Sequence, residues 1–418
     1  MGINYKFPKL SIDYEKYKKY EIKTLDKFFP NLPKEVRFCR RCIINNQRPR
    51  MILDENGVCS ACNYVEKKLS GKYVDWEKRE QELNGLLDKY RSESGAWDVL
   101  VPSSGGKDSG FVAHQLRDKH GMHPLCVTWA PFIPTEIGIQ NFYNMVQSGF
   151  NTMMFWANGL IHRKLTRVAF EILGDNFDPF TFGQKAFAFH IALKFKIPLI
   201  FYGENGEVEY GGSLKNVDKP YESPEEWTEL YYKGTNVDRL LEEGMRMGVF
   251  TENEIKDSNY DFYKAPPLQE IKELGAQMHW YSYYYPWVSL DNVEYTKEHT
   301  GYEPSPYRTQ GSFTNDHSID DQTDGIHWWL GFMKFGYNRV AKDASNQIRY
   351  GKMTREEAVE LSHKYNNEFP DQYFQNFLSY LDITEDHFWE VVNRYRNPNI
   401  WEKVDGQWRL KYEVSNED

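Results

Sequence analysis

Short apolar runs alternate with longer stretches of mixed polarity in one part of the chain, from Trp97 to about Gly212. The runs are Asp98-Val99-Leu100-Val101, Pro124-Leu125-Cys126-Val127-Thr128-Trp129, Thr152-Met153-Met154-Phe155-Trp156 and Ile197-Pro198-Leu199-Ile200-Phe201-Tyr202. Each is nearly continuous in apolar residues, as expected of strands covered on both sides. Between them lie stretches long enough for crossover helices, among them Gly110 to His120 and Gln184 to Lys196. This rhythm predicts an α/β fold, a parallel sheet with helices on both faces.

On either side the pattern changes. Before it, Trp76, Leu83, Leu86, Leu87 and Tyr90 recur at helical spacing and predict a helix that joins a small cysteine-bearing module to the sheet. After it, the segment to about Tyr302 is acidic and aromatic, and the remainder reads as helical. Thr354 and Glu357 form a capping box ahead of Ala358, Leu361 and Tyr365, and a last helix from Thr384 to Tyr395 is stopped by Pro398. Three regions follow: 1–95, a module with its connecting helix; 96–212, the sheet domain; and 213–418, a mainly helical, aromatic-rich region expected to bind substrate.

Composition narrows the function classes. Of 418 residues, 40% are hydrophobic and 27% charged, which suits a folded chain with a substantial core. The formal charge of -10 and the lack of a long basic run argue against a nucleic-acid partner. No apolar run is long enough to span a bilayer, and Met1 to Leu10 lacks the apolar core of a secretory signal, so a cytoplasmic protein is expected. In that compartment five cysteines serve metal binding or catalysis rather than disulfides.

The strongest chemical signal is Ser104-Gly105-Gly106-Lys107-Asp108-Ser109, between a strand and a helix. Two glycines let the backbone turn tightly, and the helix N-terminus adds positive partial charge, so the loop suits phosphate. It is not a Walker A loop, which would need Gly where Val101 stands and Ser or Thr where Asp108 stands. The hexapeptide instead resembles the signature of PP-loop ATP pyrophosphatases. That resemblance implies that Ser104 to Ser109 hold ATP, with Thr128 and Gly203 at neighbouring strand ends, and that attack falls on the α-phosphate to release pyrophosphate.

A glycine- and acid-rich cluster, Gly203 to Gly212, follows the fourth run, at the strand ends where open α/β sheets bind ligands. Similar PP-loop synthetases carry an acid here that helps bind Mg²⁺. Asp108 with Glu207 or Glu209 are the candidates, and Lys107, Asp108 and Glu209 are the residues expected to carry the chemistry.

Cys39-x2-Cys42 and Cys59-x2-Cys62 have the spacing of a four-thiolate Zn²⁺ site, preferred over a redox pair or an iron–sulfur cluster. Cys126, inside an apolar run, reads as a buried hydrophobe. No glutaminase nucleophile is evident. His114, His120, His123 and His162 read as structural.

From about Phe38 to Leu361 the chain resembles the N-acetyl sugar amidotransferases of bacterial surface-polysaccharide (lipopolysaccharide) biosynthesis, on the cysteine module, SSGGKDS, GENGEVEYGG and the stretch Thr314 to Arg355. The resemblance implies that the acetamido oxygen of a nucleotide-linked or sialic-acid-like sugar is adenylated, and that ammonia then displaces AMP to leave an acetamidino group. It implies a separate glutaminase, similar to that of histidine biosynthesis, as the ammonia source. His317, Asp321, Lys334, Arg339 and Arg349 are the sugar-site candidates it suggests, because acidic sugars favour Arg and Lys. Tyr285-Pro286-Trp287 could stack a ring. The rival readings are a PP-loop tRNA thiolase, which normally needs further cysteines and a basic surface, and a non-catalytic zinc-ribbon adaptor.

Overall fold

The computed structural model describes residues 5–22, 29–223, 225–226, 235–257 and 260–417. Its centre is a six-stranded sheet of β1 (Val99–Pro102), β2 (Pro124–Trp129), β3 (Asn151–Phe155), β4 (Leu199–Tyr202), β5 (Tyr221–Glu222) and β6 (Gln277–Trp280). The spatial order is β3-β2-β1-β4-β6-β5. All neighbours are parallel except β5 with β6. The fold is mixed α/β, and all four strands expected from the apolar runs are present.

Alternate residues of β1 enter two different cores. Leu100 packs with the Gly159–Leu173, Asp178–Phe195 and Val237–Arg246 helices on one face. Val99 and Val101 pack with the Trp76–Tyr90 and Lys107–His114 helices on the other. Covering on both sides explains why β1, β2 and β4 read as continuous apolar runs rather than as an alternating pattern, whereas β3, at the sheet edge, is partly exposed despite its apolar run.

The sheet also extends beyond position 212. Strand β6 pairs Leu199↔Gln277 through Tyr202↔Trp280. Its sequence, Gln-Met-His-Trp, hides it because the polar residues are satisfied internally: His279 Nδ1 meets the Tyr284 hydroxyl at 2.8 Å and Nε2 lies 3.1 Å from Gln277 Oε1.

The C-terminal helices Asp324–Phe335, Phe374–Leu381 and Glu385–Tyr395 form a second aromatic core that reaches Phe170 of the sheet domain. The Thr354–Glu357 capping box is present, and Thr384 caps the Glu385–Tyr395 helix. After that helix comes an unanticipated hairpin of β7 (Trp401–Val404) and β8 (Gln407–Leu410), turned by Asp405 and Gly406. Both turn residues have positive φ, 50° and 81°, as a two-residue hairpin turn with right-handed strand twist requires. Among the described residues no helix is long and apolar enough to cross a membrane.

Candidate functional site

From β1 the chain runs outward to β2 and β3, then returns to place β4 on the other side of β1. The reversal opens a crevice at the carboxyl ends of β1 and β4, the position where open α/β sheets bind ligands. A cavity of about 370 Å³ lies there. The 103–109 loop forms its floor. Ser103 Oγ donates to Ser109 Oγ at 2.9 Å and accepts from Gly105 N–H at 3.2 Å, which closes the turn on itself. Gly105 has φ +84°, and a Cβ there would stand 2.6 Å from the Phe142 backbone, so this glycine serves loop packing against the Glu136–Gln147 helix. Gly106 caps the Lys107–His114 helix without a side-chain hydrogen bond, and this helix start, Gly106 to Ser109, lines the cavity.

A second wall comes from the segment 302–321. Tyr302 donates to the Asp316 carbonyl at 3.0 Å, and Thr309 Oγ1 to the His317 carbonyl at 2.8 Å. These bonds hold His317, Asp320 and Asp321 against the loop. Lys107 Nζ lies 3.2 Å from Asp108 Oδ2, 3.3 Å from the Asp316 carbonyl and 3.7 Å from Asp316 Oδ2. Asp316 Oδ2 is in turn 3.2 Å from His317 Nδ1. The aromatic end of the cavity is made by Trp129, Phe180, Phe187 and Tyr202.

The charges of this site are mutually adjusted. Burial opposes the Lys107 ammonium, but Asp108 and Asp316 outweigh it and raise its pKa. Burial works against the Asp108 carboxylate too, yet Lys107 and the Asn292 amide, 3.0 Å away, hold it below the usual range. Burial and the neighbouring Asp108 charge raise Glu204. Burial pushes Asp321 up to about 8, although Thr323 N–H donates to it at 2.7 Å. Burial and Lys107 hold His317 below the ordinary histidine value, so it is neutral at pH 7.

Of the residues singled out in the sequence, Ser104, Gly106, Lys107, Asp108, Ser109, Thr128, Gly203, His317 and Asp321 line this one cavity. The other candidates stand elsewhere. Glu207 is gripped by Arg50 through two bonds of 2.9 and 2.6 Å, and Glu209 forms a buried ion pair with Lys68 at 2.6 Å. The short Gly206–Glu209 helix turns both away, and Glu204, the first acid after β4, faces the cavity in their place. Lys334 donates to the Leu173 carbonyl at 2.9 Å, and Arg339 pairs with Asp324 at 2.9 Å. Arg349 lies beside the cysteines. Trp287 is buried 5.9 Å from Phe111, while Tyr285 and Pro286 line a separate cavity of about 270 Å³. Asp316 and Glu204, which no sequence signal singles out, each adjoin a candidate, His317 and Gly203.

Cys39, Cys42, Cys59 and Cys62 are buried with their sulfurs within 4.8 Å of one another. The Cys42 and Cys59 sulfurs are 3.7 Å apart. Four thiolates around a tetrahedral zinc at 2.3 Å would be about 3.8 Å apart, so the set fits that ion. Backbone N–H groups of Arg41, Cys42 and Cys59 point at Cys39 Sγ from 3.2–3.4 Å, the partners a thiolate needs. Cys59 caps the Ser60–Leu69 helix, and the module packs on Ala341 and Ala344 of the Arg339–Arg349 helix and on Ala358 and Val359 of the Arg355–Tyr365 helix.

Residues 300–414 match the C-terminal domain of WbpG-like LPS biosynthesis proteins. The matched segment supplies His317, Asp320 and Asp321 to the cavity and Arg349 to the cysteine cluster. The match fits a role in polysaccharide biosynthesis. A 110-residue stretch is 26% identical to an uncharacterized protein of Methanocaldococcus jannaschii, covering 26% of this chain and 38% of that protein.

Proposed function

We propose that the protein is an ATP-dependent, AMP- and pyrophosphate-forming amidotransferase that converts an acetamido group of an N-acetylated sugar to an acetamidino group. The observation that carries this reading is the SGGKDS loop at the β1/β4 crevice, with Lys107, Asp108 and Glu204 converging on a cavity whose other wall comes from the polysaccharide-biosynthesis domain. In this reading the loop is a PP-loop. The helix N-terminus and Lys107 bind the β- and γ-phosphates of ATP. Asp108 and Glu204 would hold a Mg²⁺ here, a hard cation that takes few carboxylates and that would neutralise charge on the departing pyrophosphate. The fit lies in their electrostatics: Glu204 is raised in part by the Asp108 charge, a repulsion a cation between them would relieve.

The acetamido oxygen attacks the α-phosphorus. An O–P bond forms, the α–β phosphoanhydride bond breaks, and pyrophosphate leaves. Ammonia then adds to the imidate carbon, and AMP departs with the former acetamido oxygen. The nitrogen loses a proton in the addition step, and His317, which lines the cavity and is neutral at pH 7, would accept it. The nitrogen comes as ammonia from a separate glutaminase. The fifth cysteine supports this, since Cys126 is buried in β2 and burial pushes its thiol up to about 12, the opposite of an activated nucleophile.

The test is incubation with ATP, Mg²⁺ and ammonium against a panel of nucleotide-linked diacetamido sugars and sialic-acid-like sugars. AMP, pyrophosphate and a product with NH in place of O are expected by mass spectrometry. ADP and phosphate as products, or sulfur transfer to tRNA with no sugar turnover, would refute the reading.

A further inference from the structure

The segment 204–210 delivers Glu204 to the cavity, and cationic side chains from the cysteine module and from the helix packed on it hold its charged and carbonyl groups. Arg48 Nη1 donates to the Tyr210 carbonyl at 2.7 Å, and Arg50 holds Glu207 by its two-bond fork. Both arginines stand on the chain between the two cysteine pairs. Lys68, on the helix capped by Cys59, holds Glu209. Arg349 donates to the Glu209 carbonyl at 3.3 Å through Nη1 while its Nη2 lies 3.7 and 3.9 Å from the Cys42 and Cys59 sulfurs. Tyr210, fixed in this way, donates its hydroxyl to Glu204 at 2.8 Å.

We infer that the four-cysteine module is the clamp that positions Glu204, with Arg48, Arg50 and Arg349 as positioning residues, so that metal occupancy and ligand binding in the cavity are coupled. A knuckle that stabilised only itself would not send three cations, Arg48, Arg50 and Lys68, into another segment, with Arg349 of the helix packed on it reaching both; Lys68 and Arg349 are nearly inaccessible to water. The course of residues 43–58 is set by the cysteines at its ends, so loss of the metal frees Arg48 and Arg50 together. Arg349 closes the circuit from the other side, because its charge lies against the thiolates and its second nitrogen against the segment. The coupling to nucleotide rests on the proposed ATP site; the clamp itself does not.

The experiment uses the full zinc-loaded chain, with Arg50→Met and Arg50→Lys beside the wild type. Zinc content is measured first and is expected to be unchanged, since no thiolate is touched. Hydrogen exchange of the 203–212 amides should then accelerate in Arg50→Met, while the sheet strands keep their protection. Affinity for ATP with Mg²⁺, measured by calorimetry, should fall about tenfold, a typical coupling between linked sites. Arg50→Lys, which keeps the charge and loses the fork, should give an intermediate value. Unchanged exchange at 203–212 in Arg50→Met overturns the clamp. Faster exchange with no ATP binding by the wild type upholds the clamp and refutes the nucleotide reading. Faster exchange with ATP affinity equal to wild type overturns the coupling.

Discussion

Replacing Glu209 by Gln separates two roles that the sequence alone leaves joined. Its carboxylate is 2% exposed and lies 2.6 Å from Lys68 Nζ, itself 1% exposed. The Tyr350 hydroxyl also donates to it at 3.3 Å. Glu209→Gln leaves the Lys68 charge buried without its counter-ion, which costs about 3–5 kcal/mol. With an unfolding entropy near 2.1 cal/mol/K per residue, 418 residues give about 0.9 kcal/mol/K, so the melting temperature should fall by about 3–6 °C. The double variant Lys68→Met with Glu209→Leu should recover most of that loss, because a buried ion pair exchanged for apolar side chains of similar volume is close to neutral. Calorimetric melting of Glu209→Gln and of the double variant measures this directly. A Glu209→Gln protein that melts with the wild type but has lost magnesium-dependent AMP formation would refute the structural assignment and restore Glu209 as a metal ligand.

Asp108→Asn should abolish AMP formation with little change in melting temperature, since Asp108 faces the cavity; product analysis beside a melting curve checks it. Gly105→Ala forces a Cβ to 2.6 Å from the Phe142 backbone at φ +84°, and should cost at least about 1 kcal/mol and disrupt the loop, read by denaturant titration. Cys42→Ser should release the metal, as elemental analysis would show, and should speed proteolysis within residues 38–69. Burial holds His162 and His279 down at about 3, against 6.5 in the unfolded chain. The unfolded state therefore binds more protons below pH 6.5, and stability should drop by about 1.4 kcal/mol per pH unit for each histidine as pH falls from 6.5 toward 3. A melting temperature flat between pH 6.5 and 5 would refute this.

The parts of the fold that could be read in advance were those whose signal is local. Strands covered on both faces are apolar throughout, helix caps obey short rules, and the glycine-rich turn between β1 and its helix is contiguous. What stayed hidden depends on partners distant in sequence. Arg349 looks like a ligand for an acidic sugar until the fold brings it against sulfurs 307 and 290 positions away. Lys334 similarly ends on a backbone carbonyl 161 positions back. Glu204, Glu207 and Glu209 share one acidic stretch, and only the turn of the Gly206–Glu209 helix decides which faces the cavity. The hairpin at Asp405-Gly406 carried a readable turn signal between two short runs, Trp401–Val404 and Gln407–Leu410.

The packing of the cysteine module on helices near the far end of the chain has a consequence during synthesis. Ile43 N–H donates to Ser345 Oγ, a partner 302 positions later. At about 5–20 residues per second, that interval takes the ribosome roughly 15–60 s. Throughout it the finished knuckle lacks the Arg339–Arg349 and Arg355–Tyr365 helices that pack against Ile43 and Ile44. Early metal loading would keep this nascent segment compact during the wait, and cells short of zinc should accumulate the protein as aggregate rather than as folded metal-free protein.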